Sequence, residues 1–106
     1  MKVRKAGHAY ALANFGGNPN EVVVQFYETV PAPASAGGNG TVVVADGTTN
    51  EEVLAMLINR FEYFQEKKLP NKYNEKALRG LKSALKACND RTVERQKRGI
   101  EGTHKA

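Results

Sequence analysis

The chain has 106 residues, 41% of them hydrophobic and 25% charged. That balance fits one soluble folded domain with a modest core and excludes a chain disordered throughout. Sixteen Lys and Arg against eleven Asp and Glu leave a net charge of +5, which favours an anionic partner without selecting one.

Cys88 is the sole cysteine, so an intrachain disulfide is excluded and a reducing, cytosolic setting is expected. No apolar run is long enough to span a membrane. Met1-Lys-Val-Arg-Lys5 imitates the head of a signal peptide. The stretch that follows is interrupted by Gly7, His8 and Tyr10 and ends at Asn14, so it is not read as one.

Residues 8–15 read as a weak strand, and Gly16-Gly-Asn-Pro-Asn20 carries turn chemistry. Glu21-Val-Val-Val-Gln-Phe-Tyr-Glu28 is a stronger strand, rich in β-branched and aromatic residues. Pro31–Gly40 holds no core formers and reads as a flexible connection. Thr41-Val-Val-Val-Ala45 predicts a further strand, closed by Asp46-Gly47.

Thr48-x-x-Glu51 and Thr49-x-x-Glu52 both fit a capping box and start a helix. Val53, Leu54, Leu57, Ile58, Phe61 and Phe64 form one stripe at helical spacing. Pro70 closes that helix after Lys67 and Lys68. A second helix is predicted from about Asn71–Asn74 to about Arg98, with Leu78, Leu81, Leu85 and Cys88 as its apolar seam and Gly99 as its stop. The expected fold is α+β: one domain, with a small antiparallel sheet over residues 1–46 and a two-helix hairpin over residues 47–106.

Arg91, Arg95 and Arg98 stand at i, i+4 and i+7, which puts three guanidinium groups on one side of the second helix. At 100° per residue, Arg95 falls on the side of the Leu–Cys seam, with Arg91 and Arg98 on its shoulder. The opposite side carries Lys72, Arg79, Lys82, Lys86 and Lys97 as a solvated back. Arginine's planar fork matches phosphate oxygens two at a time. Two readings of the row stay open: a phosphate clamp, or ion pairs of Arg91 with Glu94 and of Arg95 with Asp90 or Glu101.

Phe64 either continues the core stripe or stacks a base from the edge of that face. Arg60 belongs to the mixed face beside it and is a further candidate. Asn74 either caps the second helix or offers a donor and an acceptor to a ligand. Catalysis finds little support. His8 and His104 lie near opposite ends, no metal-ligand spacing or nucleophile elbow occurs, and Gly37-Gly-Asn-Gly40 lacks the strand-to-helix setting of a phosphate loop. Neither a cofactor nor a metal is expected.

The second half of the chain combines Gly47-Thr-Thr-Asn-Glu-Glu-Val-Leu54, Ile58-Asn-Arg-Phe61, Phe64, Asn74, Ala77-Leu78 and Leu85. The most specific part of the set is Arg91-Thr-Val-Glu-Arg95-Gln-Lys-Arg-Gly-Ile-Glu-Gly-Thr-His104. In these residues the chain resembles the first Thoeris anti-defence family of bacteriophage proteins. Many relatives open the second helix with a Cys-Arg-Glu-Asn-like segment; this chain has Asn71-Lys-Tyr-Asn74 and keeps the final Asn.

The resemblance implies a non-catalytic sponge that holds glycocyclic ADP-ribose, the signal made by bacterial TIR-domain enzymes, in the host cytoplasm. It implies a pocket of Phe64, Asn74, Arg91 and Arg95, and an assembly of dimers or trimers of dimers. It further implies cyclic di- and trinucleotides of the CBASS pathway as ligands of a separate site, for which Thr92 is the candidate. The competing readings are a small basic nucleic-acid-binding phage protein and a structural protein of the virion.

Overall fold

The computed structural model describes residues 1–33, 40–67 and 71–97. Arg98, the Gly99 stop, Pro70 and most of the Pro31–Gly40 connection lie outside these. The described chain runs through five strands and then two helices: β1 (Lys2–Lys5), β2 (Ala9–Leu12), β3 (Val22–Gln25), β4 (Glu28–Pro31), β5 (Thr41–Ala45), α1 (Asn50–Lys67) and α2 (Lys72–Lys97). The α+β order is the expected one. It divides into two compact units that meet in sequence at Thr49 and Asn50.

The first unit holds two antiparallel sheets where the sequence suggested one. β1, β2 and β3 form a three-stranded sheet in that order, and β4 pairs with β5. The run Glu21–Glu28 breaks after Gln25, because Phe26 leaves the β2–β3 ladder to form a parallel bridge with Thr48. Three backbone bonds secure this crossing: Phe26 N–H donates to the His8 carbonyl at 2.7 Å, Thr48 N–H to Gln25 at 2.8 Å and Tyr27 N–H to Thr48 at 3.1 Å.

Gly47 permits that close passage. A Cβ there would lie 2.6 Å from the Phe26 carbonyl carbon and closer still to the Gln25 carbonyl oxygen. Gly7 turns β1 into β2 at a φ of 77°, a conformation that costs L side chains more than glycine. A Lys5–Glu28 ion pair at 2.7 Å ties β1 to β4. That bond to the Lys5 ammonium holds the Glu28 carboxyl below the usual carboxylate range, against a smaller opposing effect of desolvation.

The second unit is a helical hairpin. α1 starts directly after Thr49, with Glu51 and Glu52 in its first turn and Lys67 in its last, so charges complement the helix dipole at both ends. Asn71 caps α2: its side-chain oxygen accepts from the Asn74 N–H at 2.8 Å, as an N-cap does for the third helical residue. The Asn71 N–H in turn donates to the Gln65 side chain at 2.9 Å, fastening the two helices near their connection. Glu62 and Lys82 pair across them at 3.2 Å.

The predicted stripe and seam face inward together, and all of Val53, Leu54, Leu57, Ile58, Phe61, Phe64, Leu78, Leu81, Leu85 and Cys88 are half-buried. Two helices alone cannot enclose such a face. Among the described residues only Ala11 is buried, at 2% exposure.

Candidate functional site

The hairpin carries a shallow concavity of about 210 Å³ near its connected end, lined by Arg60, Phe61 and Phe64 of α1 and Asn74 of α2. Helical spacing explains the first three. Arg60, Phe61 and Phe64 occupy neighbouring turns, so their side chains form one patch. Phe64 sits at the margin of the apolar stripe, half-buried among its neighbours. The Arg60 guanidinium lies over its ring at 5.0 Å from the centroid, within cation–π range. Tyr63 meets the same ring edge-on at 5.2 Å and 87°.

Asn74 reaches this patch because Asn71 takes the capping role. With the helix terminus satisfied by Asn71, the half-buried Asn74 amide is left to line the concavity. It brings one acceptor and two donors to a surface otherwise formed by rings and a cation.

Arg91 and Arg95 belong to the other end. α2 is 26 residues long, about 39 Å at 1.5 Å per residue. Asn74 lies in its first turn and Arg95 in its last, about 30 Å apart by the same rise. Arg95 is half-buried, in line with the Leu–Cys seam, while Arg91 is exposed on its shoulder. Arg95 is engaged by its surroundings. Thr92 continues the seam between them, its hydroxyl donating to the Cys88 carbonyl at 3.3 Å.

The structure therefore brings Phe64, Asn74 and Arg60 together within one chain. It places Arg91, Thr92 and Arg95 about 25 Å or more along α2 from Asn74. Phe61 joins the lining although its sequence position reads as core; nothing in the stripe's periodicity sets it apart from Leu57 or Ile58.

The solvated back of α2 is partly neutralised, with Lys82 paired to Glu62 and Lys86 to Asp90 at 2.6 Å. Among the described residues no group of three His, Cys, Asp or Glu could hold a metal ion. No helix among them is long and apolar enough to cross a membrane.

No family model matches the chain. A search of curated proteins finds the Bacillus phage SBSphiJ7 protein named "Thoeris anti-defense 1", 39% identical over 90 residues. The aligned stretch is 84% of this chain and 63% of the relative, so the chain spans somewhat under two thirds of the length of the protein it matches.

Proposed function

The chain belongs to the Thoeris anti-defence family, and from that membership we propose that it suppresses Thoeris immunity by binding and holding a glycocyclic ADP-ribose signal. It does so in the host bacterial cytoplasm, where TIR-domain enzymes make the signal. Such a ligand offers an adenine face, two riboses and a pyrophosphate. Phe64 stacks the adenine, Asn74 bonds a base or ribose edge, and Arg91 and Arg95 grip the pyrophosphate through charge-assisted forks. No step in this scheme breaks a bond, and the protein acts as a sponge.

One observation carries the reading: the aromatic–amide half of the site lies near the connected end of the hairpin, whereas the arginine half lies toward the far end of α2. A single chain offers a concavity of only about 210 Å³, below the roughly 300–1,000 Å³ of sites that enclose a small ligand. Nanomolar holding needs about −12 kcal/mol, which an open half-site does not supply. Each pocket is therefore completed by a second copy, Phe64 and Asn74 of one chain meeting Arg91 and Arg95 of the other, twice per dimer.

The test combines stoichiometry with recovery. Titration should saturate at one signal per chain, and heating the complex should release intact ligand. Release of breakdown products would refute sequestration and point to an enzyme. A fully binding species that sediments as monomer at every concentration would eliminate the shared pocket. A cyclic trinucleotide of the CBASS type is proposed for a separate site around Thr92. Competition between trinucleotide and ADP-ribose signal would count against that separation.

A further inference from the structure

We propose that Arg60 is a specificity-determining residue of the concavity: its guanidinium covers the Phe64 ring when the site is empty and transfers to ligand phosphate when a base takes that ring. The proposal rests on the concavity being a nucleotide site. At 5.0 Å from the Phe64 centroid, the guanidinium occupies the space in which a stacked base would sit, since stacked rings have centroids about 4.5–7 Å apart. Tyr63 already fills an edge of the ring, and Phe61 lies beside it in the same wall. Within the concavity, Arg60 covers a face of the Phe64 ring.

A base that stacks on the covered face must displace Arg60. Arg60 stands on the outer, exposed face of α1, with room to swing on its flexible stem. A neutral nucleoside removes the cation–π contact and gives the guanidinium nothing in return. A nucleotide whose phosphate lies within reach of the displaced guanidinium gives it a charge-assisted hydrogen bond instead, a stronger contact than the one lost. Arg60 thus selects ligands that carry base and phosphate together and works against adenosine alone.

Wild type, Arg60→Gln, Arg60→Lys and Phe64→Leu are titrated with glycocyclic ADP-ribose at low and high salt. Adenosine binding is followed in parallel by saturation-transfer NMR. Arg60→Gln should bind the signal about tenfold more weakly, the order of one charged hydrogen bond, and with a smaller salt dependence. It should bind adenosine more strongly than wild type, because the ring is uncovered. Arg60→Lys should recover the salt dependence and part of the affinity, and melting temperatures should stay unchanged. Wild-type affinity for the signal in Arg60→Gln, or no gain for adenosine, overturns the proposal. Phe64→Leu separates the two levels. Its loss of binding beside an unaffected Arg60→Gln rejects only the role of Arg60, whereas wild-type binding in Phe64→Leu rejects the concavity as the site.

Discussion

Two residues set the limits of what neighbouring side chains can do. Gly47 leaves no space for a methyl group against the Gln25 and Phe26 backbone, and backbone cannot yield as a flexible side chain can. Gly47→Ala should destabilise the protein by about 1–3 kcal/mol, seen as a lower denaturant midpoint with an unchanged slope. Of the two asparagines in Asn71-Lys-Tyr-Asn74, one caps the helix and the other lines the concavity. Asn71→Ala should cost about 1 kcal/mol of stability. Asn74→Ala should leave the melting temperature nearly unaltered and weaken signal binding. The reverse assignment of losses would undo the division. Composition could not make it, because both residues stand within the span where the helix can begin, and only the bond from the Asn74 N–H to the Asn71 side chain decides.

At the scale of elements, the helices were legible and the strands only in part. α1 and α2 repeat their apolar positions over several turns and carry capping signals, so sequence bounds and structure differ by a residue or two. β1 escaped notice because Lys2–Lys5 holds one apolar residue and every position in it is exposed. β4 escaped because it is four residues long and ends in Pro31. Its partner's register, with Val30 opposite Val42, is a tertiary fact that no local pattern encodes. The arginine row was legible in direction, Arg95 inward and Arg91 on the shoulder, and its distance from Asn74 already followed from the predicted unbroken helix; that Phe64 of α1 stands beside Asn74 is a matter of helix packing that no local pattern encodes.

The Lys5–Glu28 bridge makes the sheet unit acid-sensitive. Glu28 has a lowered carboxyl pKa in the folded chain. Its contribution is therefore complete above the ordinary carboxylate value near 4.5 and disappears as pH falls through the lower folded value. Melting temperature should decline over that acidic interval, and Glu28→Gln should flatten the decline. An identical acid limb in Glu28→Gln would assign the effect to other carboxylates.

The whole molecule is notable for how little it covers. With Ala11 alone buried among the described residues, and Met56 and Val43 exposed at 59% and 62%, a solitary chain leaves much apolar surface in water. Association that hides this surface stabilises by mass action. The melting temperature should accordingly rise with protein concentration, and dilution to the point of dissociation should abolish signal binding at the same concentration. Melting independent of concentration across two decades would remove assembly from the account.

The length of α2 also has a genetic consequence. If one chain contributes the ring and its partner the arginines, damage to either half is not inherited as an ordinary loss of function. A Phe64→Leu chain and an Arg95→Ala chain, each silent alone, should complement one another when expressed together. A mixed dimer then contains one pocket with both defects and one with neither. Half of its capacity should return, and two phages with different broken copies of this gene could protect each other inside a single infected cell.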